Sequence, residues 1–173
     1  MYEIVNIVDQ DLIDDFLYQY RNNMLQSKPG EVAHGYSNKM SSSHRVVTRL
    51  RAEPKMNPEF CEILETYIGD GSIVNQLDFL LYREGDFFLP HSDVIKTDPF
   101  RTWTTVTMLD ESDDLEGGSL NLYRDFGTEP EHRIWLKNGE TIIFKSDVIH
   151  EAAKVEKGYR IVMVAWLHKS LDK

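Results

Sequence analysis

Cysteine is nearly absent: Cys61 stands alone, so no intrachain disulfide can form and the fold must rest on its core. Long apolar runs are missing as well, and no stretch approaches the ~20 residues that a bilayer-spanning helix requires. The opening Met1-Tyr2-Glu3-Ile4-Val5 has neither a basic segment nor an extended apolar one, so it does not read as a secretory signal. A cytoplasmic setting without membrane contact is the expectation. Positive charge is in deficit, with 19 Lys and Arg against 29 Asp and Glu and a formal net charge of −10. Such a chain is repelled by phosphate backbones, which makes nucleic acid an unfavourable partner unless a local basic patch exists. The nearest candidate patch, residues 39–51, holds Lys39, His44, Arg45, Arg49 and Arg51 among serines, and reads as a solvated loop and strand edge. What remains is ordinary for a globular domain. Hydrophobic residues make up 41% and charged residues 28%, and 173 residues suffice to bury one core.

Two helices come first. Asp9 is placed to cap a stripe of Leu12, Ile13, Phe16, Leu17, Tyr20 and Met24 at helical spacing. Asn57-Pro58 opens a second, carrying Phe60, Ile63, Leu64 and Tyr67 and stopping at Gly69. Residues 27–43 between them, rich in Gly, Ser, Asn and Lys, read as a loop. After Gly71 short strands are expected near 74–82, 87–93, 102–110, 120–123, 133–136, 141–144 and 160–167, separated by glycine-bearing turns. Many short strands without intervening helices predict a mainly β domain with flanking helices, a double-stranded β-helix or jelly roll. A single domain is expected over 1–173, with 1–70 as helical support and 71–168 as the core.

Chemistry concentrates in three places. His91-Ser92-Asp93 puts two ligand-type side chains on one face if the segment is a strand. His150 follows the apolar run 141–144 and can supply a third ligand. Two neutral imidazoles and a carboxylate on one side of a metal leave the opposite positions open, the arrangement of non-haem iron(II) oxygenases. Arg160 shares a strand face with Val162, Val164 and Trp166. A guanidinium carried inward with them needs a carboxylate to fork.

These residues resemble the HxD…H…R signature of the prolyl 4-hydroxylase-like 2-oxoglutarate dioxygenases, over roughly residues 78–166. Tyr82-Arg83-Glu84-Gly85, Arg101-Thr102-Trp103-Thr104, Gly117-Gly118-Ser119-Leu120 and Gly139…Phe144…His150 are similar to further landmarks of that family, in order. The resemblance implies iron(II) held by His91, Asp93 and His150, with 2-oxoglutarate and O2 as co-substrates. It implies that Arg160 anchors the far carboxylate of 2-oxoglutarate, that Tyr82 donates its hydroxyl to it, that Thr104 lines the same pocket, and that Trp166 packs beside the arginine. Met108 stands where the family often has a second tyrosine. Arg101 is a candidate substrate contact. The implied reaction oxidises 2-oxoglutarate to succinate and CO2 while hydroxylating an unactivated C–H bond. The presence of Asp93 fits hydroxylation, because related halogenases lack that carboxylate.

The substrate so implied is a prolyl residue in a protein or peptide; a free amino acid or small metabolite is the alternative on the same fold. A nucleic-acid demethylase of the AlkB type would resemble R-x5-R in the last strand, where this chain has Trp166. A non-catalytic metal-binding module would close its site with four ligands, and no fourth is evident. His34, His44, His132 and His168 read as loop or surface residues. Loops 33–47 and 94–100 flank the metal strands in sequence and are candidates for a substrate lid.

Overall fold

The computed structural model describes residues 2–26, 37–41 and 44–170. The chain runs β1 (Tyr2–Val5), α1 (Gln10–Gln26), β2 (Ser37–Ser41), β3 (Arg45–Ala52), a 3-10 turn at Pro54–Met56 and α2 (Pro58–Ile68). It continues through β4 (Ser72–Arg83), β5 (Phe87–His91), β6 (Arg101–Glu111), β7 (Glu116–Gly117), β8 (Leu120–Tyr123) and β9 (His132–Ile134). β10 (Thr141–Lys145), β11 (Ile149–Ala152), β12 (Val155–Lys157) and β13 (Tyr159–Lys169) complete it.

Both helices arise where expected. The Asp9 carboxylate accepts a hydrogen bond from the Leu12 N–H at 2.9 Å, capping α1. Gly69 closes α2 in the left-handed region at φ 66°, a conformation that costs glycine little. Asn57 precedes Pro58 as foreseen but does not cap: its amide reaches back to the Glu53 carbonyl and accepts from Gln19, tying the two helices together. The apolar stripes of both helices face the sheet. Phe16 lies edge-on to Phe60, ring centroids 4.9 Å apart, and to Phe79 of β4 at 6.0 Å. All three are buried, each burial worth ~1.5–3 kcal/mol. The Met24 side chain falls outside the described residues.

Eleven strands form one antiparallel sheet in the order β1-β10-β6-β13-β4-β3-β5-β11-β8-β9, with β2 also on β3, and β7 pairs with β12 in a separate two-stranded sheet. The sheet curls on itself as a jelly roll. Alternation along β13 fixes two cores: Ile161, Met163, Ala165 and Leu167 face the helices, whereas Val162 and Val164 face inward. The inward set meets Leu120, Leu122, Ile134 and Ala152 from the opposite half of the curl. Arg160 and Trp166, in phase with Val162 and Val164, line the interior beside them.

The first seventy residues are more than helical support. β1 pairs with β10, and β3 sits between β4 and β5. β3 escaped the sequence reading because Arg45-Val46-Val47-Thr48-Arg49-Leu50-Arg51-Ala52 mixes arginine with apolar residues as a solvated edge would. In fact Leu50 and Ala52 bury against the helices and Val47 into the inner core. Of the segment expected to be a loop, 37–41 is strand β2 and 27–36 and 42–43 lie outside the described residues.

Candidate active site

The three ligand-type side chains converge at the inner end of the curl. β5 and β11 pair antiparallel with His91 and His150 as direct Cα partners, so both imidazoles project to the same side. β5 ends at His91, and Asp93 sits in the bend beyond it rather than on the strand. Its N–H bonds the Ser146 carbonyl at 2.9 Å, which turns the carboxylate inward. His150 likewise belongs to its own short strand, separated from β10 by the turn 146–148. His91 Nε2 lies 3.5 Å from Asp93 Oδ1 and His150 Nε2 lies 3.4 Å from Asp93 Oδ2. One ligand atom from each residue falls within 4.8 Å of the others.

The orientation of each ligand is set by a neighbour. His91 Nδ1 donates to the Leu89 carbonyl at 2.7 Å and His150 Nδ1 to the Val148 carbonyl at 2.9 Å. A carbonyl can only accept, so both Nδ1 atoms carry the proton and both Nε2 lone pairs turn toward Asp93. Phe88 stacks on the His91 ring at 3.5 Å, and Phe144 meets His150 edge-on at 4.9 Å. Burial depresses the His150 pKa, keeping the ring neutral against the pull of Asp93. Burial alone would raise the Asp93 pKa, but the charges of His150 and His91 in their protonated forms and a hydrogen bond from Thr104 outweigh it and hold the group well below the usual carboxylate range.

Thr104 and Trp166 line the pocket, as expected, yet both bind Asp93. The Thr104 hydroxyl and the Trp166 indole N–H each donate to Asp93 Oδ2 at 2.8 Å. Ser146 Oγ is 3.0 Å from Thr104 Oγ1. Trp166 therefore serves the metal end of β13, six residues along the strand from Arg160, and the cation over its ring is Arg101 at 4.7 Å. Replacing Thr104 with valine removes one of the two donors at similar volume. Such supporting contacts are worth ~10–100-fold in metal affinity, a loss that equilibrium dialysis of iron(II) against this variant is expected to show.

At the opposite end the Arg160 guanidinium lies 4.7 Å over the Tyr82 ring, 4% exposed. No carboxylate of a described residue lies within ion-pair distance, and its Nε is buried without a hydrogen-bond partner. Burial lowers its pKa. Gly118 permits this position: a Cβ there would lie 3.6 Å from Arg160 Cδ and 3.1 Å from Val155 Cγ2. Tyr82 is pushed up to about 12 by burial, against Arg160 and Arg45, and keeps its proton. Leu80, Val106, Leu120, Ala152, Val162 and Val164 complete the walls of the pocket. Met108 packs in the inner core.

Arg101 is more engaged than a free substrate contact. Its nitrogens lie 3.0 Å from Asp98 Oδ2, 3.3 Å from the Asp93 carbonyl and 3.2 Å from Gln76 Oε1. His168 joins the same Asp98 at 3.2 Å and is half-buried, not a surface residue, while His132 lies on β9 with its ring edge-on to Tyr2. His34 lies outside the described residues. Ser146 and Phe88 were not singled out from the sequence; only their places, beside the expected metal residues, hinted at them.

An inward-facing two-histidine, one-carboxylate cluster opposite a buried, unanswered arginine defines a non-haem iron, 2-oxoglutarate-dependent oxygenase. The chain belongs to the 2OG-Fe(II) oxygenase superfamily, whose family model matches residues 77–168. The family takes iron(II), 2-oxoglutarate and O2, and the residues present fit all that a metal and a dicarboxylate demand: three converging donors at one end and an orphaned cation at the other. The chain is 30% identical over 87 residues to a PKHD-type hydroxylase of Maricaulis maris, half of this chain and 38% of that one. The match thus spans little more than a third of that relative. A prolyl-4-hydroxylase of Pseudomonas putida superposes with a TM-score of 0.75 at 18% identity, covering 98% of this chain and 92% of that one. A Trichoplax adhaerens prolyl hydroxylase, in complex with a peptide fragment of a hypoxia inducible factor oxygen degradation domain, gives 0.72 at 15%, covering 97% and 83%. None of the described helices is long and apolar enough to cross a membrane.

Proposed function

We propose that this enzyme hydroxylates an unactivated C–H bond of a prolyl residue in a protein or peptide. The observation that carries the dioxygenase chemistry is the pairing of the His91–Asp93–His150 cluster with the unanswered Arg160 across one pocket. The prolyl substrate is supported by the likeness to the two prolyl hydroxylases. When bound, iron and its co-substrates supply the oxidation: O2, 2-oxoglutarate and the C–H substrate give succinate, CO2 and the hydroxylated product.

The chain's own residues prepare that reaction. His91 and His150 offer their Nε2 lone pairs with the tautomer fixed, and Asp93 offers a carboxylate that stays ionised. Thr104 and Trp166 hold Asp93 Oδ2, which leaves Oδ1 freer toward the metal. Arg160 forks the distal carboxylate of 2-oxoglutarate and Tyr82 donates its retained proton to the same group. The aliphatic walls exclude water from both ends. The turn 94–100, closed by an Ile95–Asp98 bridge and held by Arg101, flanks the mouth and serves as a lid; of the other candidate, 33–47, residues 37–41 and 45–47 belong to β2 and β3, and 33–36 and 42–43 lie outside the described residues.

Succinate release by the iron-loaded protein, measured against a panel of proline-containing peptides and free amino acids, tests the reading. Stimulation by prolyl peptides, with a mass gain of one oxygen on proline, is the expected outcome. Stimulation confined to free amino acids would replace the prolyl substrate with a small-molecule one.

A further inference from the structure

Arginine collects at the mouth of this pocket in a chain whose net charge is −10. Residues 45, 47, 49 and 51 share one face of β3, and Val47 on that face packs into the inner core with Tyr82. That face therefore looks into the curl. The Arg45 guanidinium lies 5.1 Å over the Phe88 ring, and Phe88 is stacked on the metal-ligand candidate His91. Only one aromatic ring separates that cation from the metal end. Arg49 is the cross-strand partner of Leu80, which lines the pocket. Arg51 follows, 2.5 Å from Asp78, and Arg101 of β6 lies over the Trp166 ring and donates to Gln76 of β4.

The acidic groups nearby are already engaged. Asp78, 1% exposed, is bound by Arg51 and by the Gln76 amide at 3.2 Å. Asp98 is shared by Arg101 and His168, and Asp93 faces the two imidazoles. Arg49 forms no ion pair with a described residue, and its Nε is buried with no hydrogen-bond partner among them. Burial, and after it the charge of Arg49, lowers the pKa of Arg45. Two neighbouring guanidiniums that repel each other, with only Asp78 as a shared counter-charge and that group already paired with Arg51, form a site that an arriving anion relieves.

We propose that Arg49, with Arg45 beside it, receives a carboxylate of the molecule being oxidised, so that the enzyme selects an acidic substrate. The inference rests on the dioxygenase reading of the pocket and adds its substrate selectivity. The carboxylate can be an Asp or Glu side chain near the target residue of a peptide, or the α-carboxylate of a free amino acid. Both present the same planar anion to a guanidinium fork. Arg160 is a separate cation at the far end, already assigned to 2-oxoglutarate.

The test is equilibrium binding to the full chain, loaded anaerobically with iron(II) and saturating 2-oxoglutarate so that Arg160 is occupied and no turnover occurs. Fluorescent prolyl peptides bearing Asp or Glu beside the proline are compared with Asn or Gln isosteres, and N-acetylproline with N-acetylprolinamide. The expected result is that an acid binds at least ~10-fold more tightly than its amide, with the advantage shrinking as salt rises. The peptide pair showing the advantage assigns the carboxylate to a side chain; the acetylproline pair assigns it to the α-carboxylate. Arg49→Gln is expected to abolish the advantage and Arg49→Lys to keep most of it, which a general loss of fold could not produce. Equal binding of acids and amides, or an advantage undiminished in Arg49→Gln, would overturn the proposal. Aerobic succinate release by the wild type separates the two readings. Acid-selective binding without release stimulated by any probe refutes the prolyl hydroxylase reading and leaves the arginine site standing; stimulated release indifferent to substrate charge refutes the arginine site alone.

Discussion

His91→Ala is expected to lose iron and, with it, succinate release by more than about a thousandfold, equivalent to over ~4 kcal/mol of barrier. The reason is geometric. With His150 and Asp93 alone, two donors remain where three converge within 4.8 Å, and the lost one is the imidazole whose lone pair is aimed by the Leu89 carbonyl. The removal also leaves Phe88 without its stacking partner, a loss of ~0.5–1.5 kcal/mol that the fold can absorb because His91 borders the pocket mouth and is not a core residue. Metal content by equilibrium dialysis, succinate release and a thermal melt of the metal-free protein together decide the matter. The melt should change little while the first two collapse. Stoichiometric iron with preserved turnover would refute the assignment of His91 as a ligand.

The same geometry explains what could be read from the chain alone. The inner and outer faces of β13 were legible because alternation of apolar residues over eleven positions leaves one consistent register, and it carried Arg160 inward with Val162 and Val164. β8, only four residues long, was legible from the glycine turns that bound it, Gly117-Gly118 and Gly127, rather than from periodicity. β3 was not, because its inward arginines serve a pocket mouth rather than a core, and charge at alternate positions imitates a solvated edge. β1, β11 and β12 are three or four residues long, too short for periodicity to register. At the site, the cluster of His91, Asp93 and His150 was legible from HxD and a distant histidine, whereas the bond of Trp166 to Asp93 was not. Its bond to Asp93 spans 73 residues of sequence and depends on a register shift between Trp166 and Leu167. The family resemblance placed it beside Arg160; the strand carries it six residues away, to the opposite end of the pocket.

Arg160→Met is expected to move function and stability in opposite directions. A cation at 4% exposure with no carboxylate of a described residue within ion-pair distance, helped only by the Tyr82 ring and the more distant Glu111, is poorly compensated in the metal-free, ligand-free protein. Replacing it with an apolar side chain of comparable length removes that penalty, and relief of this kind is worth ~1–4 kcal/mol, which should raise the melting temperature of the ligand-free variant. The stem of the side chain passes Gly118 and its guanidinium lies over the Tyr82 ring, an apolar surface against which methionine can also pack. The binding of 2-oxoglutarate should suffer the reverse. Removing one partner of a buried, hydrogen-bonded charge pair costs ~2–5 kcal/mol, or roughly 30- to several-thousand-fold in KM for the co-substrate. Iron affinity should be retained, because the ligand cluster lies at the other end of β13. In the wild type, added 2-oxoglutarate should raise the melting temperature by mass action, and in Arg160→Met it should not. A variant that is both less stable without ligand and unchanged in KM for 2-oxoglutarate would show that Arg160 is answered by another group, and the division of this pocket into a metal end and an anion end would have to be abandoned.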